Sequence, residues 1–245
     1  MITHMNVAPT PQPEPDPKRS THTAPRPELS IVVPALNEQD NIELLVDQIQ
    51  KTVRETGIDA ELIVVDDGST DATLPRLAAL ACERPWLKVL HRDVPRGQSA
   101  AMEAGIRAAT AHYVATLDAD LQNDPADLPA MLGYLRAGAA DMVQGDRTEN
   151  RRDNVIRRLG SIIGRWSRRL LLGDPVRDTG CSARIVRTEL ARKFPLQFKG
   201  MHRFLPIHAR MLGAQIIEMP VHHRRRAAGQ TKYGFGGLNR GLAGL

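Results

Sequence analysis

Between residue 29 and about residue 145 the chain alternates between two hydrophobic patterns. Short runs are apolar throughout. "LSIVV" (29–33) and "ELIVV" (61–65) are β-branched and continuous, as strands buried on both faces must be. "LKVLHRD" (87–93), "HYVAT" (112–116) and "ADMVQGDR" (140–147) read as three further strands. Longer segments between them are apolar every three or four residues. Ile42, Leu45, Val46, Ile49 and Val53 share one helical face, and Gly57 ends that helix. A Leu/Ala-rich helix is expected at 73–82, a small-residue helix at "GQSAAMEAGIRAAT" (97–110) and another near 126–137. Strands alternating with helices predict an α/β fold, a mostly parallel sheet with helices on both faces.

After residue 145 the pattern changes. In "DNVIRRLGSIIGRWSRRLLLG" (153–173), Val155, Leu159, Ile162, Ile163, Trp166 and Leu170 fall at helical spacing, accompanied by Arg157, Arg158, Arg165, Arg168 and Arg169. A basic amphipathic helix carrying a Trp suits a membrane interface; the same pattern also suits a helix packed on the sheet with an Arg-rich solvent face. "FKGMHRFLPIHARMLG" (198–213) reads as a helix by its apolar spacing, carrying His202 and Arg203. Residues 1–28, with "PTPQPEPDPKRS", cannot bury a core and read as a disordered tail. The expected organisation is therefore a tail, 1–28, and one domain, 29–245. Its first half, 29–145, is the alternating strand–helix part, and its second, 146–245, a basic helical and loop segment.

The length of 245 residues and a hydrophobic fraction of 42% suit a single domain with a sizeable core. Charge adds an asymmetry. Residues 151–245 carry 20 Lys/Arg against 5 Asp/Glu, and residues 1–150 carry 13 against 23, so +15 and −10 combine to the net +5. An acidic first part fits a cation site; a basic second part fits an anionic partner or a solvated face. Two distant cysteines, Cys82 and Cys181, do not make a disulfide framework and point to a reducing compartment. Cys181 reads as a small buried hydrophobe. Neither a membrane span nor an apolar leader is visible, so a soluble or peripherally attached protein is expected.

Ligands of parallel sheets sit beyond the strands' carboxyl ends. Three polar motifs fall there: "PALNE" with Pro34, Asn37 and Glu38; "VDDGSTD" with Asp66 and Asp67; and "LDADLQND" with Asp118, Asp120 and Gln122. Two hard carboxylates after one strand suit Mg²⁺ or Mn²⁺ holding a phosphate, although a lone DxD is common and also fits an acid-capped turn. Acids ending a buried strand are costly unless they bind something. Gly68 allows a tight turn there, Ser69 or Thr70 could cap the next helix, and Asn37 could cap the helix after its own strand. Pro34 is expected to stop its strand.

"SIVVPALNEQDNI", "ELIVVDDGSTDAT", "GQSAAMEAGIRAA", "ATLDADLQNDP", "DTGCSARIVR" and "GQTKYG" occur in this order, and together they resemble the inverting family 2 glycosyltransferases, in particular the polyprenyl-phosphate group that includes dolichyl-phosphate mannose synthase. The resemblance spans residues 29 to about 240. It implies a GT-A fold, a nucleotide-sugar donor (UDP or GDP), a divalent metal and a polyprenyl (undecaprenyl or dolichyl) phosphate acceptor at an anionic membrane surface. It would place Asp118, Asp120 and Gln122 on metal and diphosphate, and Pro34, Asn37, Glu38, Asp66 and Asp67 around the nucleoside. Either aspartate could meet the base. Arg147, Arg157 and Ser161 would meet the acceptor phosphate. Lys232, Arg224 and Arg226 would contact phosphates from a mobile loop in which Thr231 stands where relatives carry Ser. His222 and His223 read as a solvated pair, and Asp178 as an acid that orients arginines or acts as a base.

Other classes fit less well. A hydroxyl acceptor, in polysaccharide or glycolipid synthesis, would need a better general base. Nucleic-acid binding would suit the basic half, but that half lacks interleaved aromatics, so no nucleic acid is expected as partner. A nicotinamide dehydrogenase would need a Gly-rich turn after the first strand, which carries none.

Overall fold

The computed structural model describes residues 26–148 and 176–224. The basic helix expected at 155–170, with Arg157, Ser161, Arg165, Arg168 and Arg169, lies outside the described residues, as do Arg226, Lys232 and the tail up to residue 25. Order reaches three residues further back than the tail boundary read from sequence. Arg26 donates from Nη2 to Ala111 O (2.8 Å) and Glu28 N donates to Asp59 O (2.9 Å), so both are already fixed to the domain.

The elements run β1 (Leu29–Ala35), α1 (Ile42–Thr56), β2 (Ala60–Asp66), α2 (Thr73–Glu83), β3 (Leu87–His91), α3 (Gln98–Ala108), β4 (Tyr113–Thr116), a 3₁₀ turn (Pro125–Asp127) leading into α4 (Leu128–Arg136), and β5 (Met142–Asp146). After the undescribed segment come β6 (Arg184–Arg187), the single-turn α5 (Thr188–Ala191), a 3₁₀ turn (Met201–Arg203), α6 (Leu205–Met211) and β7 (Ile216–Pro220). The seven strands among the described residues form one sheet in the order β3-β2-β1-β4-β6-β5-β7. It is mostly parallel, as expected; β6 alone runs antiparallel, to both β4 and β5. β6 and β7 were not read from the sequence: both lie beyond residue 145, where the regular alternation of strand and helix patterns ends.

One face of the sheet packs on α1, α2 and α4 through Ile42, Leu45, Ile49, Leu77, Met131 and Leu132. The other packs on α3, α5 and α6 through Ala101, Met102, Ile106, Ala191, Leu205 and Ala209. Gly57 ends α1 in the left-handed region (φ 66°), as expected, and donates to Val53 O. At the amino ends of the strands, buried Glu61 accepts from Ser30 Oγ (2.6 Å), Thr110 N (2.7 Å) and Lys88 Nζ (2.5 Å). Burial alone would push this carboxyl up, but those donors outweigh it and hold it at about 2.

β1 does not stop at Pro34; it runs on to Ala35. Leu117 N donates to Val32 O, whereas Asp67 N donates to Ala35 O, so even-numbered positions of β1 face β4 at this end. β4 ends opposite Val32. The missing N–H of Pro34 therefore faces a side with no strand to receive it, where proline is tolerated within a sheet. That same gap opens the site.

α3 lies very close to β1. A Cβ on Gly105 would fall 2.3 Å from Val32 Cγ1. Gly105→Ala is therefore expected to destabilise the fold by about 1–3 kcal/mol, as overpacking does, and to shift α3, whose first turn borders the site. Denaturant unfolding measures this; an unchanged midpoint would refute the close packing.

Candidate active site

β1, β2 and β4 end at one edge, and beyond them lies a cavity of about 330 Å³. Its walls are Pro34, Leu36 and Glu38 after β1, Asp67 after β2, Gly97 and Gln98 at the start of α3, and Asp118 and Asp120 after β4. Motifs about 30 and 50 residues apart thus meet, as sheet topology requires. Gly97 and Gln98 were missed as site residues. Their signal was the run of small residues in "GQSAAMEAG", which lets α3 approach the sheet.

Not every expected residue faces the cavity. Asn37, with φ 52°, takes Thr70 N on its Oδ1 (2.8 Å) and gives its own N–H to Ser69 Oγ (2.8 Å). It is a clasp between the loops after β1 and β2, and not a helix cap or a cavity wall. Ser69 and Thr70 are spent on this clasp, so neither caps α2; Asp71 Oδ1 accepts from Thr73 N (2.9 Å) instead. Gly68 makes the expected turn with φ 78°, and a Cβ there would strike Pro95 at 2.8 Å.

The paired aspartates divide. Asp66 is fully buried and accepts from His91 Nδ1 across to β3 (2.8 Å). Asp67 takes the backbone N–H groups of Arg96 (3.0 Å) and Gly97 (2.6 Å) and faces the cavity. It therefore shapes the turn into α3 as well as the cavity wall. The Oδ1 of Asp66 is buried and unbonded.

Asp118 and Asp120 share the cavity. Gln98 Nε2 donates to Asp118 Oδ1 (2.7 Å), and Gln122 N donates to Asp120 Oδ1 (3.2 Å) across Leu121, whose φ is 62°. Burial, and next the charge of Asp120, push the Asp118 carboxyl up, against a bond from Ser182 and the positive charges of Arg147 and Arg184. Gln122 is not among the cavity walls; its carbonyl accepts from Arg224 N (2.8 Å). Two hard carboxylates held in mutual repulsion fit a Mg²⁺ or Mn²⁺ ion. Among the described residues no cluster of three or more His, Cys, Asp or Glu could hold a metal unaided. An ion here would thus complete its shell with substrate or water oxygens.

A basic wall stands behind this pair. Arg147, just past β5, is gripped by Asp178: Nε to Oδ2 at 2.7 Å and Nη2 to Oδ1 at 3.0 Å. Burial would lower the guanidinium's pKa, but Asp178 outweighs this and raises it. Arg184 is 2% exposed. It donates to the carbonyls of His202 (2.7 Å) and Cys181, and burial brings it down to about 10. Cys181 is buried, and burial raises its thiol to about 11, which makes it inert. His202 bonds Ser99 Oγ (2.8 Å); burial and the charges of Arg203 and Arg184 depress it to about 4, so it is neutral near pH 7.

The chain after β7 is strapped to the loop that carries the acid pair. His222 N and Nδ1 bond the two oxygens of Asp127 (2.8 and 2.7 Å), Asn123 pairs with His223, and Arg224 bonds Asp124 and Gln48. His222 is thus exposed, as expected, yet bonded to Asp127, His223 is half-buried, and the Arg224 guanidinium is engaged by protein.

Residues 30–195 match the family described as Glycosyl transferase family 2. The chain is 37% identical over 212 residues to dodecaprenyl-phosphate galacturonate synthase of Rhizobium johnstonii, covering 85% of this chain and 62% of that one. It is 34% identical over 210 residues to undecaprenyl-phosphate 4-deoxy-4-formamido-L-arabinose transferase of Pectobacterium carotovorum subsp. carotovorum, covering 84% and 63%. The chain therefore spans less than two thirds of the length of these relatives. Among solved structures it is similar to glucosyl-3-phosphoglycerate synthase from Mycobacterium tuberculosis in complex with Mn²⁺, uridine diphosphate and glucosyl-3-phosphoglycerate, with TM-score 0.64, 26% identity and coverage of 82% and 73%. The same enzyme with phosphoglyceric acid gives TM-score 0.65 at 26% identity, again covering 82% and 73%.

The strap is expected to respond to pH. The bond to Asp127 raises the His222 pKa above its ordinary 6.5. A raised folded pKa means that the contribution of this pair is complete below pH 6.5 and fades as pH rises through the folded value. NMR titration of His222 checks this. Its midpoint should drop to the ordinary value in Asp127→Asn; an unchanged midpoint would show that the contact is not formed.

Proposed function

The chain belongs to the family 2 glycosyl transferases, and from that premise we propose that it transfers a sugar from a nucleotide-sugar donor to the phosphate of a polyprenyl lipid. The observation that carries the reading is the cavity itself, where Pro34, Glu38, Asp67, Asp118 and Asp120 meet. Its walls combine apolar surface with converging carboxylates, which suits a nucleoside whose diphosphate is carried on a cation, and the two relatives named above act at polyprenyl phosphates.

Asp118 and Asp120 would hold Mg²⁺ or Mn²⁺, which when bound supplies positive charge that stabilises the departing diphosphate. Gln98 orients Asp118 through its amide, and Asp67 fixes the turn into α3 against which the donor would lie. The acceptor phosphate oxygen attacks the anomeric carbon from the face opposite the diphosphate. One C–O bond forms as the other breaks, the nucleoside diphosphate leaves with the electron pair, and the centre inverts. The attacking oxygen already carries its charge at pH 7, so no proton has to be removed. What the acceptor needs is placement, and arginine offers a fixed fork to phosphate oxygens. Arg147 supplies that fork, with Arg157 and Ser161 assigned beside it by resemblance alone, as are Arg226 and Lys232 at the donor phosphates.

A hydroxyl acceptor would instead require a base. Asp178 is engaged by Arg147 and is thereby a weak one. A lipid acceptor also implies that the enzyme works at an anionic membrane surface; among the described residues no helix is long and apolar enough to cross a membrane.

The test pairs a panel of UDP- and GDP-sugars with a short polyprenyl phosphate, with Mn²⁺, with Mg²⁺ or with EDTA. Transfer is expected only with a divalent ion. Asp120→Asn should lower it by about a hundredfold or more, as losing the charge that stabilises a leaving group does. Wild-type rates from Asp120→Asn in EDTA would remove the metal from the mechanism, and transfer confined to hydroxyl acceptors would replace the lipid.

A further inference from the structure

We propose that Asp178 is a positioning residue for the acceptor, gripping one edge of Arg147 so that the other edge is presented to the lipid phosphate. This rests on the acceptor reading above.

Arg147 gives Nε and Nη2 to the two oxygens of Asp178 and its backbone N–H to Oδ2 at 3.3 Å. Such a fork fixes the plane of the guanidinium as well as its position. The carboxylate is in turn held from behind. The Asp178 carbonyl accepts from Gln144 Nε2 (3.1 Å), itself buried on β5. Its N–H and that of Arg177 both donate to Glu218 Oε1 on β7 (3.2 and 2.7 Å). Gly180 leaves room beside the fork: a Cβ there would lie 3.4 Å from Arg147 Nη2.

The arrangement answers a problem that the site creates for itself. Arg147 stands close enough for its charge to bear on Asp118. An arginine not otherwise held would be drawn onto Asp118 and Asp120, turning from the acceptor and neutralising the pair that a metal needs. Asp178 offers it a partner with better geometry. An acid so engaged is poorly suited to act as a base, and a phosphate nucleophile needs none.

Transfer to a short polyprenyl phosphate is measured for wild type, Asp178→Asn, Arg147→Ala, Arg147→Lys and the double variant Asp178→Asn/Arg147→Ala, with donor affinity followed by calorimetry. Each single variant should raise the acceptor KM about tenfold or more, as truncated charge pairs do, with donor affinity unchanged. Arg147→Lys should fall with Arg147→Ala, because it keeps the charge and loses the fork. The double variant should be no worse than Arg147→Ala, since Asp178 then has nothing to aim. Losses that multiply in the double variant would overturn the proposal. So would a fall in kcat at unchanged KM in Asp178→Asn, the mark of a base. Should Asp178→Asn fail to fold, wild-type KM in Arg147→Lys would overturn it alone. A wild-type enzyme that transfers to no polyprenyl phosphate sinks the acceptor reading itself, an outcome distinct from an active enzyme whose variants are independent.

Discussion

Carboxylates crowded at one edge of a sheet repel one another, and a buried one is costly unless a donor or a cation faces it. The carboxyl edge of this sheet gathers Asp66, Asp67, Asp118, Asp120 and Asp178, all but Asp118 nearly fully buried. Most of the local architecture answers that constraint. Asp66 reaches His91, Asp67 takes two backbone N–H groups, and Asp178 takes the fork of Arg147. Asp118 has a neutral amide, and its carboxyl is pushed up by burial and by Asp120. The surplus negative charge therefore collects where two carboxylates share one cavity. A cation held between them would relieve that repulsion.

The reversal of β6 makes the basic wall possible. In a purely parallel sheet, the strand beside β4 would bring its carboxyl end to the site. β6 runs the other way, so its amino end and the loop before it, Asp178 to Ala183, lie at the end of β4. Thr116 Oγ1 donates to Ser182 O (2.6 Å), and Asn123 Nδ2 donates to Ser182 Oγ (2.6 Å), tying this loop to the strand and turn that carry the acid pair. Packing is tight enough that a Cβ on Gly145 would lie 2.8 Å from Ala183 O and 3.0 Å from Cys181 Sγ. Arg184, at the head of β6, then closes the floor against the carbonyl of His202.

How much of this was legible in the sequence follows from how local each signal is. β1, β2 and α1 announced themselves because continuous β-branched runs and a four-residue apolar spacing depend on neighbours in the chain. So did the convergence of three polar motifs, which topology guarantees once strands and helices alternate. Which aspartate of the Asp66–Asp67 pair faces the cavity was not legible, since side chains alternate across a strand and the last residue of β2 was not fixed by pattern. The clasp between Asn37 and Thr70 escaped for another reason. Asn, Ser and Thr before a helix signal a cap, and only the tertiary approach of two loops turns them to each other. β6 and β7 lie where strands and helices no longer alternate regularly. Asp178 was legible as an acid that orients arginines, but not which arginine, since its partner Arg147 lies 31 residues away.

Part of the charge asymmetry between the halves is internal. Arg187 pairs with Asp141 and Arg224 with Asp124, each joining a cation of the second half to an acid of the first, and His222 bonds Asp127. Exposed pairs of this kind add little to stability, because solvent screens them and two long side chains must be held still. Their effect is on arrangement. Asp124 and Asp127 follow the acid pair directly, so fastening residues 222–224 to them sets the loop after the acid pair and the departing chain as one unit. Arg147, by contrast, lies largely out of solvent, and its partner is buried, so losing either would leave an uncompensated charge next to Asp118. The two kinds of pair divide the work: the exposed ones place a segment, and the buried one places a single guanidinium. Only the second fixes the plane of a charged group beside the acid pair, because a placed segment tolerates error that a bidentate fork does not.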